Sequence, residues 1–459
     1  MAEEVEIDNY KYYNDKEKNI LPYSEDELAS FIFVGCWGTY CTQNNCGDTT
    51  NRIRNNCNIN LLTINKDTNQ IEREQPRKQV GSYNVAMLMK RLSDIYSIKS
   101  IILGGDNIYK SNKLNIDIIK ELFPSEEFSE LEIIYNSQYN TTRDDLIDLY
   151  NQKITANIET IKSQFRDNKQ QKTEIKNYMN YIKSNLYDMD GQFLTGFLEC
   201  LKEVKTPEFL IGLGNHDVEN CEVLDKQLSY KQINNKWNMP GLSFNKIYTN
   251  GLISINFIII DTNMYENENL CITKNRIHKY DPNAIQNQLD WIRYILNTTN
   301  NTYYFIVGHI PFFCLGHKEI IRSNHQLKTD MDKLYETKKN FIYMCADSHS
   351  QQIIKGGENS PLCIVAGSGG ASLDILTIDK LANKSTPIPI ATSKIYLKRE
   401  HNLDVFYHKT AFGCALITTV SSASGGVNII ISMYTIDKED ANKVITINTD
   451  DNTITTSDD

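Results

Sequence analysis

Five short apolar runs in this chain each end in residues that bind metals or move protons. Phe31–Val34 leads into Gly35-Cys36-Trp37-Gly38, and Ile101–Leu103 into Gly104-Gly105-Asp106-Asn107-Ile108-Tyr109. Phe209–Leu213 is followed by Gly214-Asn215-His216-Asp217, and Tyr303–Val307 by Gly308-His309-Ile310-Pro311. Phe341–Met344 runs into Cys345-Ala346-Asp347-Ser348-His349. In open α/β sheets, ligands sit beyond the carboxyl ends of the strands. Five such ends carrying metal-type ligands predict one shared metal site. Asp106 suits a bridging role, because a carboxylate has two oxygens and can hold two cations about 3.5–4 Å apart. Gly104 and Gly105 let the backbone turn tightly before it. Tyr109 offers a phenolate suited to a hard trivalent metal, or else packs as an ordinary aromatic. Asn215 supplies a neutral amide oxygen, and His216 a proton donor to a phosphate or leaving group. Pro311 fixes the loop that carries His309. Asp347 and His349, two residues apart, share one side of an extended segment. Taken singly, each histidine also reads as a satisfied structural residue; their placement at strand ends is what points to a site.

The elements that must position these residues follow from periodicity. Val80, Val85, Met87, Leu88, Leu92 and Ile95 recur at helical spacing and predict a helix over 79–96 that feeds the strand at Ile101. That unit requires parallel strands joined by a crossover. Residues 41–75 are Asn-rich and read as a loop insertion. A second insertion, 112–200, contains a charged stretch over 142–187 without Gly or Pro. It predicts two or three helices, either a solvated excursion or a surface for a protein partner. The core resumes at Pro207, with strands near 253–260, 303–307, 341–344 and 363–366 and a helix over 284–296. Cys414–Val420 and Val427–Met433 read as part of a second, antiparallel sheet. Residues 1–28 read as a polar arm and 438–459 as a polar acidic tail, which leaves 29–437 as one domain.

Composition narrows the function. The chain has 459 residues, a formal net charge of −10 and a pI near 5.4. That balance argues against nucleic acid and anionic membrane surfaces as partners. A small phosphorylated substrate would have to be attracted locally, by a metal. The acidic start lacks the basic and apolar regions of a signal peptide. The longest apolar stretch, near Ile253–Ile260, is too short to span a bilayer. The expectation is therefore no membrane span and a cytoplasmic or otherwise intracellular location. Eleven cysteines, an odd number, include one cluster at Cys36, Cys41, Cys46 and Cys57 without a CxxC pair. Reduced, partly buried thiols are expected, with a zinc knot as the alternative.

The order GD-x-x-Y, GNHD, V-G-H-x-P and a late x-x-H resembles the calcineurin-like metallophosphoesterases. Tyr109 after Gly105-Asp106 marks the purple acid phosphatase branch. Trp37-Gly38, Trp237-Asn238-Met239-Pro240, Asp261-Thr262, Gln288-Leu289-Asp290-Trp291 and Gly367-Ser368-Gly369-Gly370 follow in the same order. The resemblance covers roughly residues 30–435 apart from the insertions. It implies an α/β (α+β) fold, a four-layer αββα sandwich of two mixed sheets flanked by helices, with the site at the strand ends. It also implies phosphomonoester hydrolysis by a metal-bound hydroxide, with one or two metal ions per chain (Fe, Zn or Mn). Carried over by residue, the first metal would meet Cys36, Asp106, Tyr109 and His349, and the second Asp106, Asn215, His309 and Asp347. His216 would assist, and His317, eight residues after His309, would protonate the leaving group or stand as a surface histidine. Two positions depart from the family. Its G-D-W-G is here Gly35-Cys36-Trp37-Gly38, and its G-H-x-H is here Ala346-Asp347-Ser348-His349. Asp347 exchanges one ligand type for another, whereas Cys36 is either a thiolate ligand or a neutral thiol at a lost site. A catalytically inactive, phosphatase-like scaffold is therefore the alternative to an enzyme.

Overall fold

The computed structural model describes residues 2–7, 10–15, 19–20, 27–37, 62–64, 71–73, 81–108, 143–185, 208–219, 221–232, 235–249, 253–273, 276–299, 303–316, 321–371, 373–374, 397–422 and 426–456. Two large mixed sheets form its centre. The first runs in the order Ile454–Thr456, Lys443–Asn448, Val427–Thr435, Gly413–Ser421, Glu27–Val34, Ile98–Gly104, Phe209–Gly212, Trp237–Asn238. Its last four strands are parallel. The second sheet places Ser254–Ile259, Tyr303–Val307, Phe341–Cys345 and Leu362–Ala366 side by side and parallel. Antiparallel strands flank them, Phe244–Thr249 on one side and Gln351–Lys355 on the other.

Side-chain alternation builds the layers. Along Glu27–Val34, Phe31 and Phe33 enter the core between the sheets, while Ile32 and Val34 join the helix Gly81–Ile95 through Val85, Leu88 and Leu92. Along Tyr303–Val307, Phe305 and Val307 face inward. Tyr304 and Ile306 face the helices Ala284–Thr298 and His325–Thr337, whose Trp291, Ile295, Met331 and Leu334 complete the outer core. This is the period of two expected of strands covered on both faces. Phe31 bridges the sheets, meeting Tyr248 and Phe257 edge-on with ring centroids 5.0 and 4.8 Å apart. Such pairs add about 0.5–1.5 kcal/mol each beyond area burial. The αββα architecture is the one that the resemblance implied.

Several expectations change. Gly413–Ser421 and Val427–Thr435 do not belong to a separate sheet. The former lies antiparallel to Glu27–Val34 and extends the first sheet. The expected C-terminal tail contributes two further strands there, with Ile445 and Ile447 on one face and buried between the sheets. Within the expected N-terminal arm, Ala2–Ile7 and Tyr10–Asp15 form an antiparallel hairpin at the edge of the second sheet. Inside the 41–75 loop, Leu62–Ile64 pairs with Ile71–Arg73. The helical stretch of the second insertion consists of two helices, Arg143–Gln164 and Asn168–Asn185, with the Asn157 amide donating to the Tyr178 hydroxyl at 2.9 Å. The rest of both insertions, with Cys41, Cys46 and Cys57, lies outside the described residues. Among the described residues no helix is long and apolar enough to cross a membrane.

The expectation of wholly reduced thiols fails at one place, where Cys221 and Cys271 form a disulfide. It ties the helix Cys221–Ser229 to the strand Asn269–Thr273. Such bridges persist in oxidising compartments, so this pairing counts against the reducing compartment assumed from sequence. Replacing both cysteines by alanine is expected to lower unfolding stability by about 2–4 kcal/mol. Urea unfolding of the native chain should be sensitive to dithiothreitol, and that of the double variant should not. A native thiol titre two higher than that of the double variant under denaturing, non-reducing conditions would contradict the bridge.

Candidate metal centre

The two sheets meet at the carboxyl ends of their parallel strands. The Gly35 amide donates to the Ala366 carbonyl at 2.9 Å, and Gly369 returns a bond to the Gly35 carbonyl at 3.0 Å. Within the first sheet, Cys36 N–H donates to the Gly105 carbonyl at 2.9 Å. Backbone at this junction is bent tightly. Cys36, Asp106 and Asp347 all adopt left-handed φ values, of 53°, 54° and 57°. Among the described residues only Asn402 and Asn452 are further non-glycine examples. A left-handed non-glycine residue costs about 1–3 kcal/mol and persists only where its surroundings enforce it; such residues gather at functional sites. All three are the residues that directly follow a strand-end glycine or alanine.

Close packing brings these turns together. Gly105 has φ +91°, and a Cβ there would lie 2.4 Å from the Gly214 nitrogen. A Cβ on Gly214 would lie 2.2 Å from the Asp106 nitrogen and from its Oδ1. The Asn215-His216 turn therefore rests directly on Asp106, and the His216 amide donates to Asp106 Oδ1 at 3.1 Å.

The side chains then converge. Ligand atoms of Cys36, Asp106 and His349 all lie within 4.8 Å of one another. Cys36 and Asp106 are buried, and Cys36 also packs against Ala346 and Ala371. His349 is placed by Asp374, whose carboxylate accepts its amide at 3.0 Å. Beside this triad, His309 Nε2 stands 3.1 Å from Asn215 Oδ1, 3.3 Å from Asp106 Oδ1 and 3.8 Å from Asp347 Oδ1. Its Nδ1 bonds the Gly104 carbonyl at 2.8 Å, and its backbone is held by Thr262 Oγ1 at 3.1 Å. Gln288 clamps the neighbouring Asp261 backbone through both amide atoms, at 3.0 and 2.9 Å. Thus the Asp261-Thr262 and Gln288 motifs orient a candidate ligand.

Electrostatics match a cation site. Burial would raise the Asp106 carboxyl, but His309 beside it, aided by His216, holds it well below the usual carboxylate range. Burial would lower the His309 imidazole, but Asp106 and then Asp347 hold it up at about 9. The pocket thus keeps an imidazolium against its carboxylates, and a metal ion would compete with that proton. His216 is raised as well: burial opposes this, and Glu219, with Oε1 2.9 Å from Nδ1, outweighs it together with Asp106. Beneath the loops, Asp217 accepts from the Gly214 and Ile108 amides at 2.7 and 2.9 Å and from Asn107 at 3.2 Å. Burial, then the Asp106 charge, push Asp217 up to about 7.

Of the residues expected from sequence, Cys36, Asp106, Asn215, His216, His309, Asp347 and His349 meet in this one pocket. Tyr109 and His317 lie outside the described residues. Sequence reading missed three participants. Asn107 joins Trp37 Nε1, at 3.1 Å, to the Gly212 carbonyl, at 2.9 Å, and so locks two strand ends. Asp374 holds His349. Arg322, on the short strand Ile321–Ser323, forms an ion pair with Asp347 and approaches Glu266 at 3.5 Å. Asn107 was readable beside Asp106, whereas nothing near Asp374 or Arg322 in the chain sets them apart. Because Gly214 has no room for a side chain, Gly214→Ala is expected to lose about 1–3 kcal/mol of unfolding stability through overpacking against Asp106. An unchanged urea midpoint would contradict the close approach.

No protein-family model matches the chain, and no curated protein does. Among solved structures, it is similar to GAP50, described as the anchor in the inner membrane complex of Plasmodium, at 14% identity and a TM-score of 0.46. That match covers 92% of this chain and 88% of the other. It is similar to the purple acid phosphatase PPD1 from yellow lupin (Lupinus luteus) seeds at 12% identity and a TM-score of 0.44, covering 96% of this chain and 56% of that one. It is similar to PhoD at 10% identity and a TM-score of 0.45, covering 98% and 74%. Likeness at this level says nothing about activity, substrate or location.

Proposed function

We propose that this chain is a metal-dependent phosphoesterase acting on small phosphomonoesters, with Cys36, Asp106 and His349 holding a cation. The observation that carries this reading is their convergence within 4.8 Å on left-handed turns at Cys36 and Asp106. A thiolate, a carboxylate and an imidazole together suit zinc or ferrous iron better than magnesium or calcium. When bound, such a cation supplies Lewis acidity, lowering the pKa of a water and offsetting charge on the phosphoryl group.

The chain's own residues do the rest. Asp106, fixed by the His216 amide, presents its carboxylate between the Cys36 and His309 sides of the pocket. The Asn215 amide oxygen adds a ligand atom without adding charge. His216, oriented by Glu219 and with its side chain 33% exposed, is placed to donate a proton to a phosphate oxygen or leaving group. Its raised pKa shifts it toward the donor form. His317 is the other candidate for that role.

A second reading draws on the surroundings of Cys36. Its contacts with Ala346 and Ala371 suit a neutral thiol that fills space, in a scaffold whose paired helices Arg143–Gln164 and Asn168–Asn185 meet a protein partner. Cobalt separates the two. Under the first reading, Co²⁺-loaded protein shows thiolate-to-cobalt charge-transfer absorption that Cys36→Ser removes. Its absence at saturating Co²⁺ would leave the scaffold reading.

For activity, Asp106→Asn is expected to abolish hydrolysis of p-nitrophenyl phosphate and to lower metal content. His216→Ala should reduce kcat by about 10²-fold or more. Normal turnover in Asp106→Asn would end the site assignment. Cys36→Asp is expected to lower activity if the thiolate is a working ligand; a rise would mean that the native first site is impaired.

A further inference from the structure

The four residues that would surround a second cation are Asp106, Asn215, His309 and Asp347. His309 Nε2 is their common neighbour, yet they do not close around a point. Asp347 Oδ1 is the farthest from it, at 3.8 Å. Among the described residues, the cluster whose ligand atoms all lie within 4.8 Å of one another is Cys36, Asp106 and His349, and Asp347 is not part of it. The other oxygen of Asp347, Oδ2, is gripped by Arg322 Nη1. The Arg322 side chain is 42% exposed and reaches inward to a carboxylate that is only 16% exposed. Glu266, 3.5 Å from Nη2, steadies the outer edge of the guanidinium.

A guanidinium is positively charged at every pH a protein experiences and carries no lone pair to give to a metal. It neutralises a carboxylate as a cation does, but it cannot act as a Lewis acid on water. We infer that Arg322 is the resident second cation of this site. It holds Asp347 Oδ2 and leaves Oδ1 3.8 Å from His309 Nε2, outside the ligand cluster, so the pocket is built for one metal ion, on the Cys36 side, rather than two. This rests on the metal site proposed above and narrows the expected one or two metal ions per chain to one. It also accounts for the aspartate at 347. A neutral imidazole there would leave Arg322 with Glu266 alone, at its outer edge, as counter-charge, whereas a carboxylate pairs with it on the pocket side.

The test uses the full chain and Mn²⁺ alone, with bound metal counted by equilibrium dialysis and its state read by electron paramagnetic resonance. The native chain should take one Mn²⁺ with an uncoupled spectrum. Arg322→Ala releases Asp347 and should take two, with the spin coupling expected of ions about 3.5–4 Å apart. Arg322→Lys keeps the charge and should stay near one. Two coupled ions in the native chain would overturn the inference, as would a single ion in both the native chain and Arg322→Ala. Binding by Arg322→Ala but not by the native chain would support Arg322 as the resident cation while removing the Cys36-side site. No binding by either protein would remove both. None of these outcomes depends on turnover, so a failure of the phosphatase reading is seen separately.

Discussion

A carboxylate taken out of water has to be compensated, and at Asp106 that requirement organises everything around it. Asp106 is 1% exposed, at the seam where two sheets meet. An unpaired charge there would cost several kcal/mol. The compensation comes from His309 and from the His216 amide. A further cation fits beside it on grounds of ligand chemistry, through Cys36, Asp106 and His349. Arg322 answers the same need at Asp347 with a covalently attached charge. The site thus solves one electrostatic problem in two ways, by an exchangeable ion on one side and by a tethered guanidinium on the other.

The fold makes this possible through where its strands stop. Parallel strands of both sheets end on one edge, and backbone hydrogen bonds between Gly35 and Ala366 and between Gly369 and Gly35 stitch the edges together. At these strand ends Cys36, Asp106 and Asp347 take left-handed φ values. The strain is offset by the core beneath, where Phe31, Phe257 and Phe305 lock the sheets to each other. The strain in turn fixes the direction of each ligand atom before any ion arrives. Such preorganisation lowers the cost of binding.

What could be read in the sequence was local. The run from Phe31 to Val34 and its neighbours showed strands, and the residues after each run showed a site. Neither reading needs knowledge of distant contacts. Arg322 lies 25 residues from Asp347 on a short hairpin strand, and only tertiary structure brings them together. The same limit applies to Gly413–Ser421, whose alternation marked a strand but whose partner, Glu27–Val34, lies near the other end of the chain. The strand at Lys443–Asn448 carried a visible alternation, with Ile445 and Ile447 facing inward, that its polar flanks obscured. Pairing of Cys221 with Cys271 could not be deduced from spacing at all.

The central claim is that Cys36, Asp106 and His349 form a metal site. A crystal of the full chain grown with Zn²⁺ and measured at the zinc absorption edge reports on it directly. The geometry requires one strong anomalous peak in the pocket, bonded to Cys36 Sγ, the Asp106 carboxylate and the His349 imidazole, with zinc–sulfur near 2.3 Å. Ordered side chains at these three positions with no peak between them would contradict it.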